Sequence, residues 1–239
     1  MKVEWQFDHI DVERLQTLVK SSEIDPPTIL SQPVTKKYFW HSLVVSLLSP
    51  RQSRLEKSIL TRLINTSPFP LRLEACLPEI NAVSKFVGKQ LYEVGWYFRT
   101  DIIGKQISAN LAYLESGGWR TTLATLERVR ELQTPEAEQD AVVFISDNFK
   151  GCGPSISRVL LQELGLARYE TPISNRLIKW LNQNGFPIVV SHNLSHFLED
   201  PTNYDFISTC IRKLCEQAGV LPCVLKTAVD RRVKDETNA

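Results

Sequence analysis

The chain has 239 residues, of which 43% are hydrophobic and 23% charged, the composition of a globular protein rather than of a disordered one. Its formal net charge of +1 excludes a global basic field, so any nucleic-acid binding must depend on a local patch. The opening stretch MKVEWQFDHIDVERLQ lacks the apolar core of a signal peptide, and no apolar run approaches the length of a membrane span. Five irregularly spaced cysteines indicate a reducing compartment. We therefore expect a cytoplasmic protein without a membrane partner.

Helical periodicity dominates the chain. A short amphipathic helix is predicted over residues 11–22, and a loop with three prolines follows. Further helices are predicted at 38–49, 54–64, 80–94, 100–116, 119–132, 137–149, 154–165, 174–183, 205–219 and 222–233. Only FPIVVS, at 186–191, has the pattern of an extended strand, and the stretch from residue 231 onward is expected to fray. The pattern predicts a mostly α-helical protein of about ten helices.

The stretch FKGCGPSISRVLLQELG, at 149–165, places a tight glycine turn directly before a helix. Gly151 can adopt a positive φ, and Gly153 allows the backbone to approach a ligand closely. Pro154 suits the first position of a helix, whose N-terminal amides favour an anion. These features predict a phosphate cradle formed by Lys150, Gly151, Gly153, Ser155 and Arg158. The alternative is an ordinary turn between two helices, with glycine needed only for its geometry.

Two segments together, FKGCGPSISRVLL and TPISNRLIKWL, resemble the helix-hairpin-helix signature of the DNA glycosylase superfamily that includes endonuclease III and the mismatch-adenine glycosylases. Upstream, SLLSPRQSR resembles the helix end whose following residues enter the DNA around a lesion. EVGWYFRTDIIGKQI is similar to the family's Gly-x-Tyr segment, with Gly95 and Tyr97 at the matching places. The resemblance covers residues 38–182.

The resemblance implies an all-α, bilobal fold with a DNA cleft between the lobes. Residues 38–150 would form a helical-bundle lobe, and residues 1–37 with 151–239 would form a second helical lobe, with the hairpin at 149–158 near the junction. The hairpin would hold the backbone of double-stranded DNA while a damaged nucleotide is flipped into the cleft.

Residues that contact the lesion follow from the same resemblance. Arg51 or Gln52 is the candidate to fill the void left by the flipped base, and Trp96 and Tyr97 are candidates for the pocket wall. The alternative for the two aromatic residues is simple core packing.

The catalytic positions of the family are altered in this chain. Ser174 stands where the family has a catalytic Asp, and Ser155 stands where bifunctional members have a Lys nucleophile. Loss of the Lys alone implies a monofunctional glycosylase, whereas loss of the Asp removes the negative charge that stabilises a cation-like sugar. Ser174 can still cap the following helix. Glu170 and Asp147 are candidate substitute acids; the alternative for each is a solvated surface acid.

Metal and thiol chemistry is not favoured by the sequence. Cys210, Cys215 and Cys223 lie where many relatives bind an iron–sulfur cluster, but a cluster normally takes four thiolates. Buried free thiols are the favoured interpretation, and we expect no cofactor and no metal. His192 and His196 have a spacing that could suit zinc, but they lack a paired acid or Cys, which favours a capping or surface role.

Three hypotheses about function remain open. The first is a DNA-repair glycosylase-like protein that binds double-stranded DNA and excises a damaged base monofunctionally, if it is active. The second is an inactive lesion-binding module on the same fold. The third is a helical interaction protein that no longer binds DNA, which the near-neutral charge favours slightly, whereas the glycine turn with its flanking cations favours the first two.

Overall fold

The computed structural model describes residues 9–21, 31–49, 54–184 and 194–238, and these residues form an all-helical fold. The predicted strand at 186–191 lies outside the described residues. The helices are α1 (His9–Ser21), α2 (Lys36–Leu48), α3 (Arg54–Asn65), α4 (Leu73–Cys76), α5 (Val83–Glu93), α6 (Thr100–Tyr113), α7 (Trp119–Leu132), α8 (Pro135–Asn148), α9 (Pro154–Glu163), α10 (Asn175–Gln183), α11 (Leu194–Phe197), α12 (Pro201–Ala218) and α13 (Pro222–Asn238).

The prediction of an all-α fold is confirmed, because each predicted helix is present with its ends shifted by only a few residues. Side-chain caps define several helix starts: Thr35, Thr134, Ser174 and Asp200 each accept a hydrogen bond from a backbone amide in the first turn. The expected fraying after residue 231 is wrong, since α13 continues to Asn238.

Two hydrophobic cores organise the helices. The first contains buried residues between Val34 and Ala167, and α2 lies deep within it, with Phe39 and Trp40 fully buried. The second combines residues of α1 with buried residues from Ile173 onward. Helix α9, which follows the glycine turn, packs mainly into the first core. The cores thus divide after Ala167 rather than at residue 150, and the assignment of lobes remains a prediction.

The two cores are joined by buried polar contacts. Glu138 of α8 is completely buried in the first core, and its carboxylate oxygens accept hydrogen bonds from the backbone amides of Arg168, Tyr169 and Glu170, each at 2.8 Å. Because three consecutive amides converge on one side chain, the segment that leads from the first core to the second is held in a defined conformation.

Helix α1 closes the second core from the N-terminal end of the chain. It contacts α12 and α13, and Leu15 is fully buried there. None of the helices in the described ranges combines the length and the apolar character needed to cross a membrane.

Candidate nucleic-acid interface

The glycine turn, residues 149–154, is clamped from both sides. Phe149 ends α8 and is buried, with its ring 5.3 Å from that of Phe39 between centroids. The Asn110 side chain of α6 donates to the carbonyl of Lys150 at 3.0 Å and accepts from the Lys150 amide at 2.7 Å. The turn is therefore held in place by two helices that are distant in sequence.

The two glycines of the turn differ in what they require. Gly151 has φ of +87°, a backbone conformation that favours glycine, and a Cβ atom added there would lie 2.6 Å from the amide carbon at the end of the Gln106 side chain, which would have to move aside. Gly153 has φ of −69° and ψ of −176°, which any residue can adopt, and an added Cβ would meet nothing within 4 Å. Glycine at 153 keeps the backbone accessible in an open space.

Helix α9 begins at this open space. Gly153 is its N-cap and Pro154 its first residue, and no side chain caps it. The hydroxyl of Ser157 instead donates to the carbonyls of Cys152 and Gly153, at 3.0 and 3.1 Å. The positive end of the helix dipole therefore faces the space beside Gly153, and no capping side chain covers it.

A pocket of about 710 Å³ adjoins the glycine turn and lies between residues of the two cores. Its walls combine apolar side chains with a few polar ones, the composition typical of ligand sites. The lining residues are Leu47, Leu48, Ser49, Trp96, Phe98, Arg99, Ile103, Gln106, Gly151, Gly153, Pro154, Ser155, Ile156, Val159, Ile173, Asn175, Leu198 and Glu199.

The structure separates the two aromatic residues predicted for the pocket wall. Trp96 lines the pocket and is buried, and its indole N–H donates to the carbonyl of Phe98 at 2.9 Å. Tyr97 is 66% exposed and does not line the pocket; its ring meets that of Tyr92 edge-on, 5.0 Å between centroids. The candidate void fillers Arg51 and Gln52 lie outside the described residues.

Arg158 is placed differently from the phosphate ligand expected from the sequence. It is only 1% exposed, and its guanidinium donates to Glu170 at 2.6 Å and to Asp205 at 2.8 Å, with its Cζ atom 4.3 Å from the centroid of the Tyr204 ring. A guanidinium committed to two carboxylates in the interior is not available to a phosphate. We therefore exclude Arg158 from the interface and regard it as a link between α9 and α12.

The candidate substitute acids also lie away from the pocket. Glu170 is 1% exposed and pairs with Arg158 and with Arg212 of α12, at 2.6 and 3.1 Å. It is thus neither a pocket acid nor the solvated surface acid of the alternative. Asp147 is exposed and is not among the residues that line the pocket. Neither carboxylate is placed where a sugar in this pocket would lie.

The two serines at the family's catalytic positions have different surroundings. Ser174 is the N-cap of α10 and its hydroxyl accepts from the amide of Leu177 at 3.1 Å, so the capping interaction inferred from the sequence is present. The pocket is lined instead by its two neighbours, Ile173 and Asn175. Ser155 lines the pocket; burial raises the pKa of Tyr204 of the second core, and the Ser155 hydroxyl helps to lower it.

Charged groups at the pocket are few. Arg99 lines it from the start of α6, where its φ of 52° is left-handed, and Lys150 is exposed on the glycine turn. Glu199, which precedes the N-cap of α12, also lines the pocket, and it was not identified from the sequence. Nothing local marks Glu199, because it follows an ordinary short helix.

The thiols lie in the interior. Burial raises the pKa of Cys152 and of Cys210 to about 12, and it also raises the pKa of Cys215, so these groups are poor nucleophiles. Within the described ranges no cluster of His, Cys, Asp and Glu is arranged to hold a metal ion. His192 lies outside those ranges, whereas His196 is exposed in α11.

The order of helices and the pocket beside the glycine turn define a class: the fold is that of a DNA glycosylase. It is similar to the crystal structure of 8-oxoguanine glycosylase/lyase from Methanocaldococcus jannaschii in complex with 15mer DNA containing 8-oxoguanine, with a TM-score of 0.56 and 14% sequence identity. The alignment covers 91% of this chain and 86% of that chain. At this identity the likeness establishes the fold alone. No family model matches the sequence, and no curated protein matches it significantly.

Proposed function

We propose that this protein binds double-stranded DNA at the glycine turn and receives an extruded, damaged nucleotide in the adjoining pocket. The observation that carries the proposal is that Gly151 and Gly153 of the turn, with Ser155 just after it, also line the pocket. A phosphate held by the turn would therefore place its own nucleotide at the pocket entrance, which couples backbone binding to base recognition.

The chemistry of the turn supports a phosphate ligand. The uncapped N-terminus of α9 offers backbone amides and the positive end of a dipole, and Lys150 is exposed beside it. Gly153 leaves room for close approach, although its backbone conformation does not require glycine. A locally cationic turn accounts for DNA binding by a chain whose net charge is only +1.

The pocket has the dimensions and character that a nucleotide needs. Its volume of about 710 Å³ lies in the usual range for small-molecule sites, and the aromatic residues Trp96 and Phe98 are among those that line it. Monofunctional base excision is the activity that this arrangement would support, since Ser155 cannot form the Schiff base of a lyase.

A second candidate function is lesion binding without excision. It is favoured by Ser174, whose hydroxyl is occupied as a helix cap and cannot supply the negative charge of a carboxylate. Both candidates require DNA binding, so affinity for DNA is the first property to measure.

Salt-dependent binding tests the proposal. Fluorescence anisotropy of labelled duplexes, intact or containing 8-oxoguanine or an abasic site, should show affinity that falls steeply as salt rises. Lys150→Gln should lower the slope of log affinity against log salt by about 0.9, because one phosphate contact is lost. The control is Lys213→Gln, which removes an exposed lysine paired with Glu216 on α12 and should leave the slope unchanged. An absence of binding, or equal slopes for all three proteins, would contradict the assignment of the turn.

A further inference from the structure

Glu199 is the one acidic residue among the described residues that line the pocket. The acids suggested by the sequence are elsewhere: Glu170 is enclosed in ion pairs and Asp147 is remote from the lining. Glu199 thus places an acidic residue at the pocket, away from Ser174, which the sequence resemblance aligns with the family's catalytic Asp.

The backbone around Glu199 is fixed on both sides. Leu198, immediately before it, is buried in the second core and also lines the pocket. Asp200, immediately after it, caps α12 by accepting from the amide of Asn203 at 3.1 Å, and the Asn203 side chain donates to the carbonyl of Phe197 at 3.2 Å.

The amide of Glu199 itself donates to the carbonyl of His196 at 3.2 Å. Glu199 is exposed, and its backbone lies between a core residue and a helix cap, which gives it a defined position beside the pocket, as a functional group requires. Its neighbours along the lining include the neutral polar side chains of Asn175 and Ser155, from α10 and α9.

We infer that Glu199 is the catalytic carboxylate of this pocket and that the protein hydrolyses the N-glycosidic bond of the extruded nucleotide. The inference rests on the proposed function, since it needs DNA bound at the glycine turn. It deepens that function by assigning an activity and a residue that carries it.

The reaction needs only water as co-reactant. As the bond between C1′ and the base nitrogen breaks, its electron pair leaves with the base and positive charge develops on the sugar, which a carboxylate stabilises. The water oxygen forms the new bond to C1′. Glu199 accepts the proton released by that water and then passes it to the departing nitrogen, which restores the carboxylate, so the products are a free base and an abasic site with a 1′-hydroxyl group.

Glu199→Gln tests the inference because it removes the charge and keeps the shape of the side chain. Base release and anisotropy would be measured on the same lesion-bearing duplexes under single-turnover conditions. We expect the variant to bind DNA with wild-type affinity and to release base at least about 100-fold more slowly, the usual contribution of an acid–base group. Glu199→Asp retains the charge and should be less impaired than Glu199→Gln. The control, Glu131→Gln, changes an exposed glutamate at the end of α7 and should behave as wild type.

The outcomes separate this inference from the proposed function. Wild-type protein that binds DNA but releases no base from any duplex, or a Glu199→Gln variant as fast as wild type, would overturn the catalytic assignment and leave the binding function intact. Wild-type protein that does not bind DNA would overturn both. A parallel loss of release and of folding, seen in the unfolding midpoint, would assign Glu199 to the stability of the turn and would also overturn its catalytic role.

Discussion

Gly151 and Gly153 are chemically identical, yet the structure gives them separate reasons to be glycine. At Gly151 the reason is internal, because its positive φ favours glycine and a Cβ atom would displace the end of the Gln106 side chain. At Gly153 the reason is external, because the backbone is extended and the adjacent space is open. We therefore expect stability and the proposed ligand binding to depend on different glycines of one turn.

Alanine substitutions distinguish the two reasons. Gly151→Ala should lower the free energy of unfolding by about 1–3 kcal/mol, the cost of holding a non-glycine residue in a strained backbone conformation. Gly153→Ala should leave the free energy of unfolding almost unchanged but weaken DNA binding, since the methyl group would enter the space that a phosphate needs. Urea unfolding and anisotropy on the same samples provide the two measurements. If Gly153→Ala binds DNA as tightly as wild type, no backbone of a ligand approaches this position.

Ser174 performs one of the two functions that an aspartate at its position would have. A helix N-cap needs an oxygen that accepts an amide hydrogen bond, and serine provides it as well as aspartate does. Stabilisation of a cationic sugar needs a negative charge, which serine does not have. The hydrogen bond to Leu177 satisfies the first requirement alone.

At the scale of elements, helix α9 connects the glycine turn to both cores. Its apolar face packs in the first core through Leu160 and Leu161, and its Arg158 reaches Glu170 and Asp205 beyond that core. The position of the turn is therefore set by the same helix that holds the two cores together.

Arg158→Ala should be strongly destabilising. Removal of one partner leaves buried carboxylate charge uncompensated at Glu170, which typically costs about 3–5 kcal/mol, although Arg212 remains near it. Denaturant unfolding measures this loss. Arg128→Ala, which breaks an exposed ion pair with Asp140, is the control and should change the free energy of unfolding by about 1 kcal/mol or less. Equal effects of the two substitutions would show that the buried pair contributes no more than a surface one.

At the scale of the whole molecule, Glu138 joins the two cores, and its titration makes the free energy of unfolding depend on pH. Burial raises its pKa from 4.5 to about 7, although the hydrogen bonds that it accepts from three backbone amides lower the pKa. The folded protein therefore binds more protons than the unfolded chain between these two values. The contribution of Glu138 to the free energy of unfolding falls as pH rises from about 4.5 to about 7, and it is constant above that range.

Glu138→Gln should remove this pH dependence. The glutamine does not titrate, so its contribution to the free energy of unfolding is independent of pH, whereas Glu138 makes its largest contribution at low pH; we expect the variant to be less stable than wild type at pH 5 by about 1–3 kcal/mol. The difference should narrow by pH 8, where the wild-type carboxylate is charged. Urea unfolding across this range measures both. The control is Glu136→Gln, at an exposed residue in the first turn of the same helix; its stability should vary with pH as that of wild type does. The prediction would be contradicted if wild type and Glu138→Gln differed in free energy of unfolding by the same amount at every pH.

Prediction from the sequence succeeded where the cause is local. Helical periodicity, N-caps and the glycine turn depend on residues within a few positions of one another, and α7 was predicted to the residue over 119–132. Partners remote in sequence were not predictable in this way. Arg158 meets acids 12 and 47 positions away, and only the folded chain brings Glu199 to the same pocket as the turn.

The contacts of Glu138 and Arg158 have a mechanical consequence. The segment between the cores is the natural place for a hinge, yet three amides are tied to Glu138 and a buried guanidinium ties α9 to α12. Both contacts restrict rotation of one core against the other. On the function proposed here, the duplex would have to supply more of the deformation that brings a nucleotide to the pocket, which would favour sites that are easily deformed, such as those weakened by damage.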